Sequence, residues 1–136
     1  MTTHTVRAAV YACFVAGEEP TVAAIARHAG MPGTEVGTAL AALADEHRLA
    51  LAEDGSVLMA HPFSAVPTGY RAEVGDRVWH ANCAWDALAI LALMGDGVAT
   101  KDGDLLWSID GGTVSPPGVV HFVVPAREFW ADIGFT

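Results

Sequence analysis

The sequence has few basic residues, with seven Lys and Arg against 16 Asp and Glu, and a formal net charge of −9 at pH 7. Proteins that bind nucleic acid neutralise its phosphates with Lys and Arg, and the counterions released in this way supply much of the binding free energy. The deficit of basic side chains therefore disfavours nucleic acid as a partner.

The sequence also contains only two cysteines, Cys13 and Cys83, and no long uninterrupted apolar run. Two cysteines are too few for a disulfide framework, so we expect free thiols in a reducing compartment. No stretch approaches the roughly 18 apolar residues of a membrane span, and residues 1–20 lack the pattern of a signal peptide. These absences predict a cytoplasmic protein that has no membrane partner.

The apolar content is high enough for a folded protein, because 52% of the 136 residues are hydrophobic and only 17% are charged. Such a composition can bury a core, and disordered chains do not have it. The length corresponds to one domain, or to two very small units that share one core.

The first part of the chain is predicted to be winged-helix-like, over residues 1–60. Helical spacing of apolar residues, the capping residue Thr21, and the helix-ending Gly30 predict three helices. An Asp54-Gly55 turn then predicts a pair of short strands. The helices are expected at residues 6–16, 22–29 and about 34–47, and the strands at 48–52 and 56–60.

A winged helix that binds DNA needs side chains on its third helix that reach bases and phosphates. Residues 35–46 contain no basic residue, and the first ones are His47 and Arg48. DNA binding is therefore the less favoured alternative. We instead expect a module that packs against the second part or forms a dimer.

The second part, residues 61–136, follows a short linker that contains Pro62 and Pro67. Strand patterns occur at residues 70–74, 77–79, 105–109 and 119–124, and a short turn or helix is expected at 128–133. A very apolar helix is expected at 83–94, capped by Asn82 and ended by Gly95. The predicted class is α+β: a winged-helix-like unit followed by a small mixed sheet with one buried helix.

The pair Cys83 and Asp86 is the main candidate for chemistry, because a spacing of three residues places both side chains on one helix face. The helix N-terminus is expected to lower the pKa of the thiol, and a buried carboxyl beside it is expected to stay protonated. Such a pair can bind a soft metal and donate a proton. The alternative is a core cysteine beside an acidic residue that compensates the helix dipole.

Other candidates have simpler interpretations. His80 could add a metal ligand near Cys83, although no His and Cys spacing matches a closed zinc site. Cys13 lies on the apolar face of the first helix and is expected to be a core thiol. A polar contact or a half-exposed strand position explains His61 and His121, and the tryptophans are expected to fill the core or to line a pocket.

Three segments, in order, resemble the organomercurial (alkylmercury) lyase family. They are His61-Pro-Phe-Ser-Ala-Val-Pro-Thr68, Trp79-His-Ala-Asn-Cys-Ala-Trp-Asp-Ala-Leu88 and Val119-Val-His-Phe-Val-Val-Pro-Ala126. The family also places a winged-helix-like region that does not bind DNA before a mixed core. This agrees with the absence of basic residues from residues 35–46.

The resemblance implies roles for two residues. Cys83 matches the first mercury-binding thiolate, and Asp86 matches the residue that protonates the carbon and also contacts the metal. The implied substrate is a small organomercurial, the products are a hydrocarbon and bound Hg(II), and no cofactor is required. The family's second cysteine is expected after a segment like residues 130–136, where this sequence has none, so the chain is expected to be a shortened homologue that borrows a small external thiol.

Two further hypotheses remain open. One is a lyase-fold protein that no longer cleaves its substrate and binds a metal or another small molecule. The other is an acidic winged-helix interaction or regulatory module. A homodimer is compatible with all three hypotheses, because small domains gain buried surface by association.

Overall fold

The protein is described by a computed structural model that covers residues 1–133. Its first part consists of three helices, α1 (Thr2–Ala16), α2 (Val22–Ala29) and α3 (Gly33–Asp45). The Thr21 hydroxyl accepts a hydrogen bond from the backbone N–H of Ala24 at 3.1 Å, which caps α2 as predicted. Gly30 ends α2 in the left-handed conformation that glycine adopts without strain.

Within residues 1–133 the sheet has eight strands, and all seven pairings between them are antiparallel. Their order is β1-β2-β3-β5-β4-β6-β7-β8. The strands are β1 (Ala50–Leu51), β2 (Val57–Ala60), β3 (Phe63–Ser64), β4 (Tyr70–Val74), β5 (Arg77–Ala81), β6 (Gly97–Lys101), β7 (Asp104–Asp110) and β8 (Thr113–Ser115). The predicted α+β class is confirmed.

The prediction of a mixed sheet was wrong. Short turns join β4 to β5, β6 to β7 and β7 to β8, and such connections produce antiparallel neighbours. Helix α4 (Ala84–Met94) makes the longer connection from β5 to β6. After this connection β6 pairs with β4 rather than with β5, and the β4–β6 pair is antiparallel as well.

The sheet runs through the point at which we divided the chain. Strand β2, in the first part, pairs with β3, in the second part, with Ala60 opposite Phe63. Helix α1 adds contacts between the parts, since the Phe14 ring stacks on the Phe63 ring at 5.1 Å. Domain boundaries near residue 61 stay a prediction, although one sheet and one core cluster extend across them.

Helix α4 packs on β4, β5 and β6 through one face only. Its buried residues are Asp86, Ala87, Ile90 and Leu91, whereas Trp85 and Leu93 are 48% and 66% exposed. The expectation of a helix buried on most sides was wrong, because the sheet covers a single side of it. The start of α4 is therefore accessible to solvent on the face that carries Trp85.

The predicted strand at residues 119–124 was also wrong. Strands β1 and β8 form the two edges of the sheet, and the later segment pairs with neither of them. Its residues Val119 and Val123 are 92% and 77% exposed. Residues 120–124 instead lie beside the start of α4, and a 3₁₀ helix at Ala126–Ala131 confirms the short terminal turn or helix.

No helix within residues 1–133 is both long and apolar enough to cross a membrane. The end of the segment after which we expected a second family cysteine, residues 134–136, lies outside the described residues.

Candidate active site at the start of helix α4

Cys83 is the N-cap residue of α4 and has an extended backbone, with φ −156° and ψ 179°. We predicted this position for Asn82, one residue earlier. Burial raises the pKa of the Cys83 thiol, and the nearby Asp86 carboxylate raises it further. The backbone N–H groups of Asp86 and Trp85 lower this pKa, as expected at a helix start, but they are outweighed. The expected low thiol pKa was therefore wrong, and the thiol is protonated near neutral pH.

Asp86 lies in the first turn of α4 and is only 6% exposed. Its Oδ1 atom is 2.8 Å from Nδ1 of His61, and its Oδ2 atom accepts a hydrogen bond from Nδ2 of Asn82 at 3.1 Å. Asn82 Nδ2 also lies 3.3 Å from the carbonyl oxygen of Phe63, which ties the carboxyl to strand β3. Both oxygens of a buried carboxyl therefore have partners, so its position is fixed.

His61 lies in the turn between β2 and β3, with a side chain that is 68% exposed. Its carbonyl oxygen accepts a hydrogen bond of 2.8 Å from the Tyr11 hydroxyl, which connects the turn to α1. The hydrogen bond with Asp86 raises the pKa of His61 above its ordinary value of 6.5, although partial burial opposes this. His61 thus joins a buried carboxyl to solvent.

Two cavities open beside Cys83. The larger, of about 410 Å³, is also lined by His61, Asp86 and several aromatic side chains: Trp85, Phe122, Phe129 and Trp130. The smaller, of about 190 Å³, contains Asn82, Tyr70, His121 and residues 120–124. The Trp130 ring stacks on His47 at 4.5 Å, which fixes the far wall of the larger cavity. The thiol and the carboxyl therefore face a cavity with largely aromatic walls.

A larger cavity, of about 840 Å³, is an apolar groove along the exposed face of α4. It shares His61 and Trp85 with the site, but neither Cys83 nor Asp86 lines it. Cavity volume alone would indicate this groove as the functional site. The Cys83 thiol and the Asp86 carboxyl, however, lie next to the smaller cavities.

The other candidate residues lie elsewhere. His80 lines a separate cavity with Glu19 and Ser64, so it does not join Cys83. Cys13 is fully buried among core residues, as predicted. Within residues 1–133, the one group of three potential metal ligands is Cys13, Glu18 and His28, and Cys83 is not part of it. The site consequently brings together one thiol and one carboxyl, and His61 is the nearest additional side chain.

Our sequence interpretation missed two residues of the site. His61 was explained as an ordinary polar contact, although it directly precedes Pro62 in one of the resembling segments. Asn82 was assigned to helix capping, whereas its amide holds Asp86. The signal available for His61 was its position in the turn before β3, the strand to which Asn82 is hydrogen-bonded.

Comparisons with known proteins find similarity in the segment that carries this site. Residues 63–103 match the family model described as MerB, alkylmercury lyase, and this segment contains both Cys83 and Asp86. The structure is similar to the crystal structure of the mercury-bound form of MerB2, with a TM-score of 0.63 and 19% sequence identity over 85% of this chain. The chain spans 58% of the length of that protein. No curated protein matches the sequence. The segment that carries the site is therefore similar to the alkylmercury lyase family, and the fold is similar to that of MerB2.

Proposed function

We propose that the protein cleaves the carbon–mercury bond of small organomercurials by protonolysis. The observation that carries the proposal is the arrangement of the Cys83 thiol and the buried Asp86 carboxyl at the start of α4, facing an aromatic cavity. Mercury is a soft metal that prefers sulfur, and the carbon that leaves it needs a proton. Cys83 supplies the sulfur, and Asp86 supplies the proton.

The first step is the capture of R–Hg–X by Cys83. A sulfur–mercury bond forms, the anion X⁻ leaves, and the thiol proton passes to the neighbouring Asp86 carboxylate. The Asp86 carboxyl also acts on the thiol through a side-chain hydrogen bond, so the proton has a short path. Because the pKa of Cys83 is raised, capture by mercury is what removes this proton at neutral pH.

The second step is the transfer of the proton from Asp86 to carbon. The electron pair of the carbon–mercury bond takes the proton, R–H leaves, and Hg(II) remains bound to the Cys83 sulfur and the Asp86 carboxylate. The aromatic walls formed by Trp85, Phe122 and Phe129 hold the organic group and exclude water. No cofactor is needed, and small thiols of a reducing cytoplasm supply the second sulfur ligand and remove the mercury.

The test is gas-phase detection of methane or benzene released from methylmercury or phenylmercury with excess small thiol. We expect release by the wild type and none above background from Cys83→Ser. The Asp86→Asn variant should be slower by roughly 100-fold or more, which is typical of the loss of a general acid. Cys13→Ala and Asp104→Asn are matched controls, since Cys13 is a core thiol and Asp104 lies at an exposed strand end.

A second candidate function is mercury binding without cleavage. The observation that favours it is the Cys83 thiol beside the Asp86 carboxyl in the larger cavity, a pair that can hold mercury whether or not carbon is protonated. It predicts stoichiometric, Cys83-dependent mercury binding with no release of hydrocarbon. Hydrocarbon release at the wild-type rate by Cys83→Ser would contradict both functions.

A further inference from the structure

A cluster of three different metal-ligating side chains lies at the junction of α1 and α2. The Sγ atom of Cys13, a carboxylate oxygen of Glu18 and a ring nitrogen of His28 all lie within 4.8 Å of one another. Neither Cys83 nor Asp86 belongs to this cluster. We propose that these three side chains bind a zinc ion, at a second site that takes no part in the proposed reaction at α4.

The local fold explains why the three residues meet. Gly17 ends α1 in the left-handed conformation, with φ 73°, and the chain turns back so that the Glu18 N–H donates to the Cys13 carbonyl oxygen at 2.9 Å. His28 lies in the last turn of α2, and α2 packs against α1. The end of one helix and the end of the next are thereby brought to the same place.

The spacing of the ligand atoms fits a tetrahedral zinc ion. Nε2 of His28 is 3.1 Å from Oε2 of Glu18. Zinc bonds of about 2.0–2.1 Å to nitrogen and oxygen place two such ligands about 3.3 Å apart, with sulfur slightly farther away. Binding therefore needs a contraction of the cluster by roughly 1 Å. The side chains of His28 and Glu18 are 29% and 40% exposed, so they have room to make this movement.

The chemistry of the three groups favours zinc. Thiolate, imidazole and carboxylate are its usual protein ligands, whereas calcium and magnesium take oxygen ligands. Cys13 is fully buried, so the ion would approach from the side of Glu18 and His28 and displace the thiol proton as it binds. Three protein ligands leave the fourth position for water. Such an ion would hold the end of α1 to the end of α2.

Arg27 is the group that opposes a cation here. Its guanidinium lies 2.6 Å from Oε2 of Glu18, the same oxygen that His28 contacts. Zinc binding would therefore exchange an arginine partner of Glu18 for the metal. Arg27→Gln should bind zinc more tightly than wild type, by about fivefold or more, because it removes both a like charge and a competitor for the carboxylate. Unchanged binding in Arg27→Gln would contradict Glu18 as a ligand.

The experiment titrates the reduced, metal-free protein with Co(II), a spectroscopic substitute for zinc. It uses wild type and Cys83→Ser, in which Cys13 is the one remaining cysteine. We expect both proteins to bind one Co(II) with a sulfur-to-cobalt charge-transfer band in the near ultraviolet, and added zinc to remove this band. The band should be absent from Cys13→Ala. Its absence from Cys83→Ser would overturn the proposal, because Cys13 would then bind no metal.

Variants of the two partly exposed ligands test the site without altering the core. Glu18→Gln and His28→Gln should weaken zinc binding by roughly 100-fold or more, since even a residue that only orients a ligand is worth about 10- to 100-fold. Competition with a zinc-binding dye measures the affinities. Glu19→Gln and His4→Gln are matched controls, because they change the same residue types at exposed positions and should bind zinc as wild type does. Wild-type affinity in both Glu18→Gln and His28→Gln would overturn the site and leave the proposed function unaffected.

Discussion

Asp86 has three polar neighbours, and each of them acts on it differently. His61 brings a positive charge when protonated, Asn82 brings an amide donor, and Cys83 brings a thiol. The carboxylate in turn raises the pKa of both His61 and Cys83. Protonation of His61 and protonation of Cys83 therefore both depend on the Asp86 carboxylate.

Asp86→Asn should lower the pKa of both His61 and Cys83, because it removes a negative charge and an acceptor that favour their protonated forms. The pKa of Cys83 should stay above that of a free thiol, since burial is the largest cause of its shift. NMR titration of the His61 ring and the pH dependence of Cys83 alkylation, followed by peptide mass spectrometry, would measure the two values. Unchanged values in Asp86→Asn, as expected for Asp104→Asn, would contradict the coupling.

The hydrogen bond also links the protonation of His61 to stability. The folded-state pKa of His61 is raised, so its contribution to stability is fully present below the unfolded value of about 6.5. This contribution is lost as pH rises through the folded-state pKa. Urea unfolding at pH 5.5 and 8.5 should therefore show a smaller drop in stability for His61→Gln than for wild type. An equal drop would indicate that the pair is screened by solvent, since the ring is largely exposed.

Among the elements, the helices were predicted best. Thr21 acts through its side chain on the adjoining backbone, and Gly30 and Gly95 act through their own backbone. Their effects at the ends of α2 and α4 can therefore be read from local sequence. The segment at 119–124 is rich in valine, as strands are, but a strand forms only where it pairs with another strand, and that pairing depends on the tertiary structure. The pair Cys83 and Asp86 could be found from spacing, whereas His61 lies 25 positions before Asp86, too far for any local pattern to connect them.

Two glycine substitutions should have opposite effects on the free energy of unfolding. A Cβ atom at Gly97 would lie inside contact distance of the Glu73 carbonyl oxygen, where β6 meets β4. At Gly37, within α3, nothing lies within 4 Å of the added atom. Gly97→Ala should lower the free energy of unfolding by about 1–3 kcal/mol, and Gly37→Ala should raise it by about 0.5–1 kcal/mol. Urea denaturation measures both values, and equal effects would contradict the close approach of β6 to β4.

The helix cap gives a smaller test. Thr21→Ala should cost about 1 kcal/mol of stability, because the Ala24 N–H loses its acceptor at the start of α2. Thr34→Ala is the control, since Thr34 is an exposed residue of α3 whose hydroxyl is not a helix cap. Thermal unfolding should separate the two variants, and a similar Tm for both would argue against the capping role.

Over the whole molecule, α1 joins the helical part to the sheet. The buried indole N–H of Trp79, on β5, donates to the carbonyl oxygen of Phe14 at 2.7 Å. The rings of Phe14 and Phe63 stack nearby, and the hydroxyl of Tyr11 binds the turn that carries His61. Because these contacts connect sequence positions 49 to 65 residues apart, we expect both parts to unfold together.

Trp79→Phe should leave the Phe14 carbonyl oxygen without a partner and cost about 1–3 kcal/mol. The unfolding transition should shift to lower urea while circular dichroism and fluorescence still report a single, coincident transition. Two separate transitions in wild type would show that the helical part and the sheet are independent units. The test therefore also addresses the proposed boundary near residue 61.

Trp85 has one more consequence, which concerns detection. Its indole lines both cavities next to Cys83, and Trp130 lines the larger one. On the proposed function, a heavy atom bound to the Cys83 sulfur would lie beside these emitters and quench their fluorescence, whereas Trp79 is shielded in the core. The two indoles would then act as an optical reporter, and we expect the emission to fall on adding mercury and to return with excess thiol as the occupancy of the site changes.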